Sequence, residues 1–160
     1  MLFLTYWEVS ENMSPEEQLQ AAGVAEHFTL LDGDSRVAMS AADVVLLASG
    51  TAVLEAAMLR KPAVATYRVN SLTYWIGQSL LRLVKLTHYT LPNLLTEEPL
   101  IPEFIQNDAK PGPIAEAVIA LLDDPQQRQS ISERFDRLRS ELALDADQHA
   151  ADAVLGLAQQ

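Results

Sequence analysis

Cysteine is absent from this sequence of 160 residues. The absence excludes disulfide-stapled scaffolds and cysteine-ligated zinc or iron–sulfur sites, and it is compatible with a reducing compartment. Histidine is scarce, because only His27, His88 and His149 occur, far apart and without HExxH-type spacing. Metal-binding histidines normally recur at short spacings, so we expect no metal site.

Basic residues are also few. The chain has 11 Lys and Arg against 22 Asp and Glu, a formal net charge of -11. Nonspecific binding of nucleic acid needs a basic surface, so we expect no nucleic-acid partner. No apolar run reaches the length of a membrane-spanning helix, and residues 1–13 lack the basic start of a signal peptide. These features favour a cytoplasmic location.

Hydrophobic residues make up 49% of the chain, which is enough for one globular domain with a core. Its central stretch is residues 43–55, DVVLLASGTAVLE. The apolar, β-branched run at 44–48 is typical of a strand buried in a parallel sheet. Ser49, Gly50 and Thr51 follow as a tight turn, and good helix formers come next. The free N–H groups at such a helix start form an anion site, most often for phosphate.

Glu55 follows one helical turn after Thr51, on the same face. Its carboxylate could accept hydrogen bonds from the hydroxyls of a ribose. Two ordinary explanations compete with this interpretation. Many strand–turn–helix joints bind nothing, and an acidic residue near a helix start is favoured by the helix dipole alone.

The flanking segments predict further strands and helices. Ser14 and Pro15 mark the start of a helix that ends near Gly23. Residues 27–31 (HFTLL) and 62–67 (PAVATY) read as strands on either side of the central one. The alternation of strands and helices predicts an α/β fold with a parallel, partial Rossmann-like sheet of three or four strands.

The second half of the chain is predicted to be mainly helical. Residues 72–86 have apolar spacing that fits a core helix or a helix on a membrane surface or acyl chain. Residues 87–95 read as a β-like piece and a turn, in which Asn93 bonds the backbone or faces a ligand. Residues 97–106 read as a short helix or turns, ended by a Pro-Gly-Pro sequence. A C-terminal helical extension follows, with helices at 114–122, 126–142 and 146–158.

Several segments together resemble one family, lipid-A-disaccharide synthase, a glycosyltransferase of the GT-B type. They occur in the family's order from Phe28 to the C-terminus. The segments are LLDG (30–33), ADVVLLASGTAVLEAAML (42–59), YR (67–68), LTYW (72–75), LPNLL (91–95) and ADQHAADAVLGLAQ (146–159).

The resemblance implies an enzyme of lipid A and lipopolysaccharide biosynthesis. Such an enzyme transfers 2,3-diacylglucosamine from UDP to 2,3-diacylglucosamine 1-phosphate, forming a β-1,6 disaccharide. The UDP-sugar is a substrate, and no cofactor or metal is implied. The family has two facing Rossmann-like domains, of which the C-terminal one binds the UDP-sugar. It works on the cytoplasmic face of the inner membrane as a peripheral protein, and its members can pair through C-terminal segments.

The resemblance also implies a role for individual residues. Ser49, Gly50 and Thr51 match the phosphate turn, and Glu55 matches the acid that holds the ribose. Asn93 matches the asparagine of a motif associated with the active site. The remaining matches lie near the uracil or line the cleft: Leu31, Asp32, Gly33, Tyr67 and Arg68.

The chain departs from the family in length, because whole members are more than twice as long. We expect the N-terminal acceptor domain, its general base and an arginine-containing loop for the diphosphate to be missing. Residues 1–22 match the family poorly, and residues 23–160 are the expected nucleotide-sugar-binding domain. The chain is expected to be a truncated product or a fragment, inactive alone and prone to dimerise. The alternatives are another GT-B enzyme acting on a UDP-sugar, or a non-catalytic nucleotide-binding or interaction module.

Overall fold

The computed structural model describes residues 2–4, 13–48, 50–68, 88–143 and 154. In this part of the chain, four parallel strands form one sheet in the order β1-β2-β3-β4. The strands are β1 Leu2–Leu4, β2 Val44–Leu47, β3 Ala63–Tyr67 and β4 Glu103–Ile105. Strand β2 pairs with β1 and β3, and β3 pairs with β4. The α/β fold with a partial Rossmann-like parallel sheet is thereby confirmed.

Six α-helices are described around this sheet. Their bounds are α1 Pro15–Ala21, α2 Ser35–Ala41, α3 Gly50–Met58, α4 Leu91–Leu94, α5 Pro111–Asp123 and α6 Pro125–Leu142. Helix α1 begins with the predicted cap, since Ser14 Oγ accepts from the Glu17 N–H and the Glu17 carboxylate accepts from the Ser14 N–H. Two short 3₁₀ helices, Ala25–His27 and Gln106–Asp108, complete the described elements.

The core lies between the sheet and helices α3, α5 and α6. Three of the four residues of β2 and the first three residues of β3, 63–65, are buried, as their continuous apolar sequence predicts. Helix α5 packs on both of these strands, and α6 packs on α3 and α5. Phe135 of α6 is fully buried in the same cluster as Val53 and Val64. The C-terminal helices therefore close the core around the central strand–turn–helix unit.

The predicted strand at residues 27–31 is wrong. The chain forms a 3₁₀ turn at Ala25–His27 and then runs on without regular structure. Leu31 is 60% exposed, and Phe28 and Leu30 are exposed as well. The local sequence has strand propensity, but a strand is stable only when a neighbour pairs with it. The sheet pairs β2 with β1 on that side instead.

The region before β4 also differs from its prediction. The β-like piece and turn at 87–95 contain a short helix, α4, at Leu91–Leu94. Residues 103–105, predicted as helix or turn, form strand β4 against β3. Pro111 and Pro113 begin helix α5 rather than ending the preceding unit, which suits the first turn of a helix because proline lacks an N–H.

Three predictions fall on residues outside those the structure describes. They are the apolar helix at 72–86, the role of Ser49 in the phosphate turn, and the last helix at 146–158, of which only Val154 is described, as helical. Among the described helices, none is long and apolar enough to cross a membrane.

Candidate functional site

The carboxyl ends of the parallel strands bring several predicted residues to one edge of the sheet. Strand β2 ends at Leu47, and helix α3 begins at Gly50. Strand β3 ends at Tyr67, followed by Arg68. Because β2 and β3 are parallel, the turn after β2 and the Tyr67–Arg68 pair lie at the same edge. Ligands of open α/β sheets bind at this edge.

The start of helix α3 is open to solvent. Gly50 and Thr51 are both exposed. Among the described residues, apart from its chain neighbours and the backbone of its own helix, a Cβ atom built on Gly50 would meet no heavy atom within 4 Å. The first N–H groups of a helix have no partner within it, so an exposed helix start offers them to an anion. Gly50 and Thr51 therefore form an exposed helix start that an anion can reach, while Ser49 lies outside the described residues.

Glu55 lies one turn further along α3, where it is partly buried. Among the described residues, its carboxylate has no hydrogen-bond or ion-pair partner. Side chains on a helix lean toward its N-terminus, which directs Glu55 back toward the open end of α3. The carboxylate is therefore placed to accept hydrogen bonds from a molecule bound at that end.

Tyr67, Arg68, Asp32 and Gly33 are all exposed. The Tyr67 side chain is 45% exposed at the end of β3, and Arg68 adds a positive charge at the same edge. Asp32 and Gly33 form bends before helix α2, and Gly33 has φ of 79°, a left-handed conformation that favours glycine. The structure thus leaves these four residues available for contact with a ligand.

Asn93 is the predicted residue that the structure places away from solvent, at 2% exposure. Its Oδ1 atom accepts from the N–H groups of Leu100 at 2.8 Å and Ile101 at 3.0 Å. Its Nδ2 atom donates to the Ile101 carbonyl at 2.8 Å and to Glu103 Oε1 at 2.9 Å. An amide has two donor hydrogens and two acceptor positions, and here all four are used. Of the two alternatives from the sequence, Asn93 bonds the backbone.

Glu103 joins Asn93 in a buried network that the sequence did not reveal. Its side chain is 9% exposed. Its Oε1 atom accepts from the Thr90 N–H at 2.8 Å and the Thr90 hydroxyl at 2.5 Å. Its Oε2 atom accepts from the Tyr89 N–H at 3.0 Å. We call Thr90, Asn93 and Glu103 the Glu103 clasp.

A cavity of about 550 Å³ lies beside the Glu103 clasp. His88 is at its rim, with Nδ1 3.8 Å from Glu103 Oε2. Neither Gly50 nor Glu55 is among its described lining residues, so we base the candidate site on the strand ends and not on this cavity. No group of three or more His, Asp or Glu suited to a metal ion occurs among the described residues.

Three known proteins that are similar to this chain share one description. The sequence profile of the lipid-A-disaccharide synthetase family matches residues 3–154. The chain is 47% identical over 129 residues to the lipid-A-disaccharide synthase of Pseudomonas savastanoi pv. phaseolicola, covering 81% of the chain and 32% of that protein. It is 42% identical over 148 residues to the synthase of Pseudomonas fluorescens, covering 90% of the chain and 38% of that protein.

A third relative is similar to the chain to about the same extent. The synthase of Hahella chejuensis is 43% identical over 142 residues, which are 89% of the chain and 35% of that protein. The chain thus spans about a third of the length of these curated relatives, 32% to 38%. The expectation that whole members are more than twice as long is confirmed. Because the family profile and these relatives cover most of its residues, the chain belongs to the lipid-A-disaccharide synthetase family.

Proposed function

We propose that this chain is the donor-binding part of a lipid-A-disaccharide synthase, a UDP-sugar-dependent glycosyltransferase. The substrate is UDP-2,3-diacylglucosamine, whose sugar passes to 2,3-diacylglucosamine 1-phosphate. The observation that carries the proposal is the open N-terminus of α3, with Glu55 one turn behind it. Family membership supports the same assignment.

In this proposal, the diphosphate lies on the free N–H groups of Gly50 and Thr51. Those groups and the helix dipole stabilise the negative charge that builds up on the departing UDP. Glu55 accepts hydrogen bonds from the ribose hydroxyls. A carboxylate beside a phosphate would repel it, so the proposal places Glu55 at the ribose, beyond the phosphates.

In this proposal, the other exposed residues predicted from the sequence have supporting roles. Arg68 brings a positive charge that offsets part of the diphosphate charge, and Tyr67 lines the cleft beside it. Asp32 and Gly33 form the loop near the uracil. Asn93 contributes through the segment that it holds in place, because its amide has no free hydrogen-bonding position. We propose no cofactor and no metal.

The other partners follow from the family. The acylated acceptor and the surface of the inner membrane are proposed contacts of the whole enzyme. We also propose homodimerisation. Strands β1 and β4 are the outer strands of the described sheet, so each has one edge without a neighbouring strand there. Unpaired strand edges favour association with a second chain.

UDP titration followed by isothermal calorimetry tests the donor site. We expect the unchanged chain to bind UDP and Glu55→Ala to bind it about tenfold or more weakly, since hydrogen bonds to a charged group contribute about 1.5–3 kcal/mol. The matched control is Glu116→Ala, which removes an exposed carboxylate from helix α5. The control should leave the affinity for UDP unchanged.

Two outcomes contradict the proposal. If the unchanged chain shows no UDP binding at millimolar concentration, the chain is not a donor-binding unit, and the alternative of an interaction module is favoured. If Glu55→Ala and Glu116→Ala bind UDP equally well, the ribose is not held by Glu55.

A further inference from the structure

The Glu103 clasp holds two segments of the chain together. Glu103 is the first residue of β4, while Thr90 and Asn93 belong to the segment that forms α4. Its carboxylate accepts from the Thr90 N–H, the Thr90 hydroxyl, the Tyr89 N–H and Asn93 Nδ2. Four hydrogen-bond donors share this one buried carboxylate. Each donor would reduce the stability of the fold if it were left without an acceptor.

Asn93 extends the clasp to the residues before β4. Its amide bonds the main chain of Leu100 and Ile101, both of which are buried. Asn93 thus connects α4 to Glu103 in β4 and to the buried residues Leu100 and Ile101 before that strand. The clasp is a built structure rather than a chance surface contact.

The register of the sheet places the clasp close to the candidate donor site. Leu47 pairs with Ala65, and Ala65 pairs with Glu103, so the three residues form one row across the sheet. Neighbouring strands are about 4.8 Å apart, which puts Glu103 about 10 Å from Leu47. Leu47 is the last residue of β2, directly before the turn that leads into α3.

Helix α4 itself packs against α3. Residues in one row of a parallel sheet point to the same face, so Glu103 and α4 lie on the side of the sheet that Leu47 faces. The clasp thus holds α4 in contact with α3, and the N-terminus of α3 is the proposed phosphate site.

We propose that Glu103 is a positioning residue for UDP-sugar binding. It acts through Thr90 and Asn93, which hold the α4 turn against α3 and so fix the position of α3 at the sheet edge. This inference rests on the proposed function, and it assigns Asn93 a role in positioning as well. Neither residue needs to touch the nucleotide for the site to depend on it.

Calorimetric titration with UDP on the full 160-residue chain tests this inference. We expect Glu103→Ala to weaken UDP binding about tenfold, by analogy with metal sites, where removing a residue that holds a ligand in place costs about 10–100-fold in affinity or activity. Glu103→Gln should restore most of the affinity, because its amide oxygen can still accept from Thr90 and Asn93. The Tyr89 N–H then loses its acceptor, and His88 loses the negative charge of Glu103.

Two further variants separate positioning from general stability. Val118→Ala removes buried volume from helix α5 and should leave the affinity of the folded protein for UDP unchanged. Thr90→Val removes only the hydroxyl bond to Glu103, so it should fold even if Glu103→Ala does not. We expect Thr90→Val to bind UDP more weakly than the unchanged chain.

The outcomes distinguish this inference from the proposed function. Absence of UDP binding by the unchanged chain overturns the proposed function and this inference with it. If the unchanged chain binds UDP and Glu103→Ala or Thr90→Val binds it equally well, this inference alone is overturned. Equal weakening by Val118→Ala also overturns it, because general loss of stability would then explain the effect.

Discussion

A single amide, that of Asn93, decides how the segment before β4 is built. The main-chain groups of Leu100 and Ile101 take their hydrogen bonds from this side chain. The amide and both of these residues are buried, so removal of the amide takes away acceptors inside the core. The N–H groups of Leu100 and Ile101 would then remain buried without acceptors.

Asn93→Ala should therefore destabilise the chain strongly. We expect a loss of about 3 kcal/mol in the free energy of unfolding, since each buried group left without a partner costs about 1–3 kcal/mol. Urea unfolding followed by circular dichroism measures this loss. Asn107→Ala is the matched control, because Asn107 is exposed and its removal should change stability little. Equal midpoints for the two variants would contradict the structural role of Asn93.

At the scale of single residues, the sequence predicted that Asn93 must be hydrogen-bonded but not which groups are its partners. An asparagine among leucines must be hydrogen-bonded, and that prediction is confirmed. Its partners lie seven to ten residues further along the chain, in a segment read as helix or turns, so they were not predicted. The one local signal for Glu103 is that it follows Pro102 and the apolar pair Leu100–Ile101.

Among the elements, helices α5 and α6 are joined by a short and well-capped connection. Asp124 Oδ1 accepts from the Gln127 N–H at 2.8 Å and so caps the start of α6. Arg128 Nη1 donates to the carbonyls of Leu121 at 2.7 Å and Leu122 at 2.5 Å, near the end of α5. One guanidinium thereby satisfies carbonyls that a helix end leaves without partners.

Arg128→Ala should loosen this connection. We expect it to lower the free energy of unfolding by about 1–2 kcal/mol, because two hydrogen bonds from a charged, partly buried donor are lost. Arg137→Ala, on the same helix but exposed, should cost much less. Chemical unfolding of both variants under identical conditions gives the comparison. A loss for Arg137→Ala as large as for Arg128→Ala would show that the charge of α6 matters rather than the bonds to α5.

The elements differ in how well the sequence predicted them. Strands β2 and β3 and helix α3 were predicted because their apolar patterns are long and bounded by clear turn signals. Residues 27–31 were wrongly predicted because strand propensity cannot show whether a neighbouring strand is present. Strand β4 has only three residues and is defined by its pairing with β3. A pairing between distant segments cannot be predicted from the local sequence. The residues of the site at Gly50, Thr51 and Glu55 were found because they belong to the best-predicted unit.

On the scale of the whole molecule, the chain spans 32% to 38% of the length of the relatives described above. A glycosyl transfer needs a group to deprotonate the attacking hydroxyl and a surface to hold the acceptor. The candidate site consists of an exposed helix start, a carboxylate and exposed residues, and we propose donor contacts only for it.

We therefore expect the purified 160-residue chain to form no disaccharide. The assay supplies UDP-2,3-diacylglucosamine and 2,3-diacylglucosamine 1-phosphate and measures disaccharide and released UDP. The synthase of Pseudomonas fluorescens, assayed in parallel, is the positive control. Disaccharide above the level without protein would contradict the expectation and would place the whole catalytic apparatus within these 160 residues.

The space around Gly50 has a practical consequence for experiments. Many glycines in turns cannot be replaced because a methyl group would collide with the protein or strain its backbone. At position 50 a methyl group would meet none of the described residues within 4 Å, apart from its chain neighbours and its own helix, so we expect the fold to accept alanine there. The change in ligand affinity on Gly50→Ala then reports how closely a bound molecule approaches the main chain at this position.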